Sequence, residues 1–363
     1  MSVTLLNKDK KQRSKKFNYF IGIDVSKNKL DYAVIKNKEF LFHCERKNDE
    51  ADIISFVKEL KSDPQFKVTK AVFCFERTGF YCNHLLSGLS KLKTNIVVEH
   101  PLTIKNSSGL LRNKNDKVDA IRIAKYAQNF HENLKFWEPK RQVILQLMNA
   151  IAIRNRLLGT ATRLKVPLKE QRSFIPKKLV TSSKVSCERT LAAIDQDLLA
   201  INQNIQALID SDSHIKNLIK IITSVPAVGL QTAIQILICT NEFRDFINPK
   251  KFAAYSGVAP FKKESGVYKS KAKVSHIANK KMKSLLHICA VGSLRCDYEM
   301  KTYYLRKTTV EGKPPMAVLN AIRYKILLRI FVCLKQGRCY TRDYKRPENI
   351  TAGEPDKNLR FET

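Results

Sequence analysis

The sequence predicts an α/β amino-terminal domain, a long helical middle and a mainly helical carboxyl domain. Three observations carry that prediction. Over about the first 130 residues, β-rich stretches alternate with amphipathic helical ones. The middle shows apolar residues at helical spacing with no strand-like alternation. Beyond Ile221, apolar helices flank a Gly-containing turn. Hydrophobic residues make up 44% of the 363, enough to bury a real core in two domains plus a connector.

Taken in order, Leu5 to Lys16 holds six Lys/Arg and one Asp, which predicts a flexible basic arm over residues 1–16. Phe17–Val25, Leu30–Ile35 and Phe40–Arg46 are β-rich and separated by short polar turns, predicting a three-strand meander. Ile53, Ile54, Val57 and Leu60 line one side of a helix. Then follow a buried strand Ala71–Phe75, a helix Tyr81–Leu92, a strand Asn95–Val98, a polar stretch and a helix Asp116–Phe130. The order β-β-β-α-β-α-β-α is that of the RNase-H-like fold, so residues 17–135 are expected to form such a domain.

Residues 141–220 are expected to be a helical, coiled-coil connector. A helix over Val143–Leu164 is separated by Pro167 and Pro176 from a second. In that second helix Leu191, Ile194, Leu198, Ile201, Ile205 and Leu208 recur at spacings of 3 and 4, the seam of a helix that packs on another helix. The partner helix lies either in the same chain or in a second copy. Ile221 to Thr240 has twenty uncharged residues, a membrane-span length, but Ser224, Pro226, Gly229, Gln231 and Gln235 interrupt it. A buried pair of helices joined at Val225-Pro226-Ala227-Val228-Gly229 is expected instead, like a helix-hairpin-helix segment, although Ala227 stands where that motif commonly has glycine. Helices over Lys280–Leu294 and Pro315–Leu334 complete a domain at 221–335, followed by a polar tail at 340–363.

Charge narrows the partners. Lys+Arg number 66 against 33 Asp+Glu, a formal charge of +33. Such an excess repels itself in a compact chain and matches a polyanion, first of all nucleic acid. Nine cysteines contain no CxxC pair, which argues against a zinc knuckle and for reduced thiols in the cytoplasm. From Lys251 to Lys283 there are nine lysines and one acid, Glu264. Lys262, Lys263, Lys269, Lys271, Lys273, Lys280 and Lys281 are the candidate phosphate contacts, with Tyr255, Phe261 and Tyr268 available for stacking on bases.

Four carboxylates are candidates for chemistry. Asp24 lies in the apolar strand Ile21-Gly22-Ile23-Asp24-Val25, where an acid is costly unless it binds something. Glu76 ends the strand Ala71–Phe75. Asp116 and Asp119 open a helix and share a face at spacing i, i+3. In the predicted topology the first and fourth strands are neighbours, so all four acids can gather at one point. Four gathered carboxylates repel unless cations sit among them, and hard oxygen donors suit Mg²⁺ or Mn²⁺.

Gly22-Ile23-Asp24-Val25-Ser26, Glu76-Arg77-Thr78-Gly79 and Asp116-Lys117-Val118-Asp119-Ala120 resemble the DEDD transposases of the IS110 insertion-sequence family and their Piv/MooV-type invertase relatives. Val225-Pro226-Ala227-Val228-Gly229, Phe252 to Pro260 and Glu264-Ser265-Gly266 resemble that family's second domain. The resemblance spans about residues 18 to 335. It implies a RuvC-like domain with metal ligands at Asp24, Glu76, Asp116 and Asp119, and a nucleophilic serine at Ser265. It also implies DNA as substrate, a structured bridge RNA as guide, a homo-oligomer on the DNA, no membrane, and a cytoplasmic, nucleoid-associated protein. Val267, Tyr268 and lysines follow Ser265-Gly266 where the family often has small residues. By residue chemistry alone Ser256, in Tyr255-Ser256-Gly257, is a rival nucleophile, though its apolar surroundings suit a structural role. Three alternatives stand beside this reading. One is a RuvC-like junction resolvase and another a non-catalytic nucleic-acid binder. The third is an actin-like sugar kinase, for which a second Gly-rich phosphate loop is missing.

Overall fold

The computed structural model describes residues 16–107, 115–262, 264–266, 268–270 and 272–342. They fall into two compact units that divide between Pro139 and Lys140. The basic arm before Lys16, most of the tail, Lys263 and Lys271 lie outside the described residues, as does the side chain of Lys269.

The first unit opens with β1 (Tyr19–Val25), β2 (Lys29–Lys36) and β3 (Glu39–Lys47), an antiparallel meander. Asn37 and Lys38 both take positive φ (47° and 80°), the two-residue turn whose twist matches the flanking strands. α1 (Glu50–Lys61) follows, its first turn capped by the Asp49 side chain accepting from the Asp52 N–H. β4 (Ala71–Glu76) pairs parallel with β1, and after α2 (Asn83–Lys91) the strand β5 (Asn95–Glu99) pairs parallel with β4. Then come α3 (Pro101–Ser107) and α4 (Asp116–Asn129). The sheet order is β3-β2-β1-β4-β5. One face buries Ile21, Ile23, Tyr32, Phe73 and Phe75 with Phe56 and Leu85 of α1 and α2. The other buries Phe20, Ala33, Cys74 and Val97 against Ala120, Ile123, Ala124 and Ala127 of α4.

Two expectations in this unit are corrected. The helix predicted from Tyr81 begins at Asn83, because Gly79–Cys82 form a tighter 3-10 turn first. The stretch read as merely polar contains α3, which Pro101 opens and which buries only Ile104, too little periodicity to see.

In the second unit α5 (Gln142–Glu170) and α6 (Lys177–Asp210) form an antiparallel hairpin. Arg154 Nε donates to Asn202 Oδ1 at 2.8 Å, and Lys165 pairs with Asp195 at 3.3 Å further out. Ile194 and Ile205 of the predicted seam are buried, so the seam has a partner within the chain. Pro167 does not end the first helix. It sits in the last turn of α5, where a missing N–H costs one bond, and the break falls at residues 171–176.

α7 (Ser213–Thr223) and α8 (Leu230–Thr240) are joined by a tight turn with Ala227 at φ +66°. Among the described residues no helix is long and apolar enough to cross a membrane. α9 (Pro249–Tyr255) leads into β6 (Pro260–Phe261), which pairs with β9 (Lys273–Val274) and encloses the hairpin β7 (Glu264–Ser265) and β8 (Tyr268–Lys269). These short ladders were not expected from so lysine-rich a stretch. α10 (Lys280–Cys296), α11 (Tyr298–Leu305) and α12 (Pro315–Gln336) close the unit, whose core runs from Ile144 to Cys333. All nine cysteines are free.

Candidate active site

Strand register builds the floor of the site. Asp24 of β1 stands opposite Asp31 of β2, and Asp31 opposite Glu45 of β3. On the other side, Ile23 pairs with Phe75, so Asp24 and Glu76 are the next residues along two adjacent parallel strands. Glu76 in turn pairs with Glu99 of β5. Residues in register on neighbouring strands share a sheet face. One acid from each of the five strands therefore forms a row, on the face that α4 covers.

α4 completes the site because β1 has a glycine where the helix crosses it. A Cβ at Gly22 would stand 2.2 Å from the Ala120 carbonyl oxygen and 2.2 Å from the Ala124 nitrogen. Only the absence of a side chain allows that approach. The Asn115 side chain accepts from the Val118 N–H and fixes where the helix starts, so Asp116 and Asp119 fall in its first turn. Asp24, Glu76, Asp116 and Asp119 thereby lie near one another at one end of the sheet, close enough for the other three to act on the Asp24 charge.

Electrostatics show the repulsion. Burial, then Asp119, Asp116, Glu76 and Asp31 in that order, push the Asp24 carboxyl up to about 6. Burial also lifts Glu76, with Arg122 pulling the other way. Two cations neutralise the other acids. Arg122 reaches Asp119 at 3.2 Å and Glu76 at 3.5 Å. Lys29 reaches Asp116 at 2.8 Å, Glu45 at 3.0 Å and Asp31 at 3.3 Å, and these carboxylates, Asp116 first, hold its ammonium above the usual lysine range. The buried Asp31 also takes His43 Nε2 at 2.9 Å. No basic side chain pairs with Asp24 among the described residues. Among the described residues no three His, Cys, Asp or Glu side chains stand close enough to share an ion, and Lys29 and Arg122 occupy part of the space between the acids. Asp31, Glu45, Glu99, Lys29 and Arg122 escaped sequence reasoning. Only strand register reveals the first three, and the two cations sit among many others.

In the second unit Ser265 is exposed in β7, beside Gly266 at φ +56°, which makes the hairpin turn. Ser256 is fully buried at the end of α9 and its Oγ has no hydrogen-bond partner, so as folded it cannot reach a substrate. Lys262, Lys273, Lys280 and Lys281 are exposed, an arrangement open to phosphate.

Comparison with known proteins reaches both units. A model of the IS110-type DEDD transposase matches residues 21–173, and one described as transposase, IS116/IS110/IS902 family, matches residues 219–305. The pilin gene-inverting protein of Moraxella bovis is 22% identical over 323 residues, 88% of this chain and 96% of that protein. Its counterpart in Moraxella lacunata shows the same identity and coverage. An insertion element IS110 protein of 43.6 kDa from Streptomyces coelicolor, itself uncharacterized, is 26% identical over 155 residues, 43% of this chain and 37% of that one. With a transposase model matched in each unit and an inverting protein similar along nearly its whole length, the chain belongs to the IS110 family of transposases and site-specific recombinases.

Proposed function

We propose that this transposase cuts and rejoins DNA with Asp24, Glu76, Asp116 and Asp119 as ligands of Mg²⁺ or Mn²⁺, on a RuvC-like domain of RNase-H fold, and with Ser265 as nucleophile. The observation that carries the proposal is the convergence of the other three acids on Asp24, a half-buried carboxylate with no cation of its own. The donor set fits the metal. All four are hard oxygen ligands, and Asp24 stays strained until positive charge arrives. When bound, such ions stabilise charge on the attacking and leaving oxygens of a phosphoryl transfer.

The chain's own residues do the rest. Asp24 and Glu76 are held by the sheet, so their spacing is fixed before substrate arrives. Asp116 and Asp119 are carried by α4, and Lys29 and Arg122 must give up their carboxylates for four ligands to close in. Lysines of the β6–β9 segment grip the DNA backbone. The Ser265 hydroxyl gives up its proton as its Oγ bonds to phosphorus, the bond from that phosphorus to one deoxyribose oxygen breaks, and that oxygen takes up a proton and leaves as a free hydroxyl end. Rejoining reverses the exchange on a new end.

The resemblance to IS110 transposases further supports a structured bridge RNA as guide and an assembly of several copies on the DNA. The test is a strand-transfer assay on element-end DNA, with and without element-derived RNA and Mg²⁺. A protein–DNA adduct that survives denaturation is expected for wild type, lost in Ser265→Ala, and not formed in Asp116→Ala. Survival of the adduct in Ser265→Ala refutes the assignment of the nucleophile.

A further inference from the structure

A buried arginine in the second unit has no acid to answer it. Arg323 of α12 is 4% exposed, and no carboxylate contacts it among the described residues. Its guanidinium donates to Asn320 Oδ1 at 3.3 Å and to His287 Nδ1 at 2.7 Å, while its Nε has no partner. A buried guanidinium stays charged, so leaving it without an anion is costly.

The two groups that accept from Arg323 are neutral, an amide oxygen and an imidazole nitrogen. Because Nδ1 of His287 accepts from Arg323, the ring's proton sits on Nε2, and His287 presents a second N–H. Asn320 spends its amide on the Val258 carbonyl at 2.6 Å. Lys283, one turn before His287 on α10, lies against the same turn of chain, its Cδ 3.5 Å from where a Cβ of Gly257 would be. Ser256, at the start of that turn, is the buried hydroxyl without a partner. Lys283 and His287 are only half-buried. Lys283 and His287 thus stand one turn apart on α10, His287 is bonded to the buried Arg323 of α12, and no carboxylate contacts that guanidinium among the described residues.

We propose that this seam between α10 and α12 binds one backbone phosphate of nucleic acid. Lys283 and His287 touch the phosphate, and Arg323 is a positioning residue that fixes the His287 tautomer and supplies buried positive charge. The inference rests on the chain binding DNA or RNA, but not on the acidic site.

The test uses the full chain, a fluorescent 30-nucleotide single-stranded DNA and its duplex, with anisotropy followed across KCl concentration. Lys283→Met is expected to weaken binding by about tenfold and to reduce the salt slope by about one. Arg323→Met keeps the volume and removes the charge. It is expected to weaken binding similarly while raising the melting temperature of the free chain, because an unanswered buried charge has gone. Wild-type affinity and slope in Lys283→Met overturn the site. A less stable or unfolded Arg323→Met overturns the positioning role, since the guanidinium is then a satisfied structural group, and Lys283→Met still decides the contact. A wild-type chain that binds neither probe, nor element-derived RNA, refutes the nucleic-acid reading itself, a result distinct from failure of this site.

Discussion

Replacing Asp24 by asparagine should stabilise the sheet-bearing unit when divalent cations are absent. Asp24 is raised from 3.8 to about 6 by burial and by the acids around it. Two units correspond to about 3 kcal/mol at roughly 1.4 kcal/mol per unit, and partial solvent access reduces this to about 1–2 kcal/mol. The sign follows from linkage. A carboxyl raised on folding binds its proton more tightly in the native state, so stability is lost as pH rises from about 4 to 6. Asparagine carries no charge and avoids that loss. The assay is amide hydrogen exchange of peptides from β1 and β4 in EDTA, which reads this unit without the other. At pH 7.5 Asp24→Asn should exchange about 5- to 30-fold more slowly than wild type, the factor that 1–2 kcal/mol sets. Denaturant midpoints of this unit should become equal below about pH 4. With millimolar Mg²⁺ the wild type should gain protection and the variant should not. Faster exchange in Asp24→Asn at pH 7.5 in EDTA would refute the account, because Asp24 would then be a stabilising group in the metal-free chain.

Other perturbations have equally definite outcomes. Gly22→Ala drives a Cβ into the backbone of α4 and should cost about 3 kcal/mol or more in urea unfolding of the first unit, with loss of strand transfer, whereas a wild-type midpoint would mean that α4 is not seated on β1. Lys29→Met removes the counter-ion of Asp116, Glu45 and Asp31. It should lower stability in EDTA yet tighten Mn²⁺ binding measured by titration, since the metal no longer competes with an ammonium, and weaker Mn²⁺ binding would count against that competition. Ala227→Gly relieves a left-handed alanine and should stabilise the second unit by about 0.5–1 kcal/mol in denaturant melts, while a net loss would place the strain elsewhere.

The local sequence was most readable where a residue type conflicted with its surroundings. Asp24 inside an apolar strand and two acids opening α4 could be picked out because both patterns are local. Gly22 stood in the motif around Asp24, but its packing role gave no local signal, since it depends on a helix that crosses it a hundred residues later. Asp31, Glu45 and Glu99 look like ordinary strand acids until register lines them up, and register depends on pairing between distant segments. Lys29 and Arg122 were hidden by abundance, two cations among 66. Pro167 misled because its helix-breaking effect is small in a last turn. The ladders around Ser265 were invisible because paired strands of two residues carry no periodicity. The pair of buried Arg323 and half-buried His287 joins two helices, so neither residue's neighbours in the chain announce it.

The most direct test is Mn²⁺ binding followed by electron paramagnetic resonance on the full chain, wild type beside Asp24→Asn and Asp119→Asn. The wild type should bind Mn²⁺ at neutral pH, and each variant should lose most of that bound ion while remaining folded. Equal binding in all three proteins, or none in the wild type even with element DNA present, would contradict the claim that these acids converge to hold a metal.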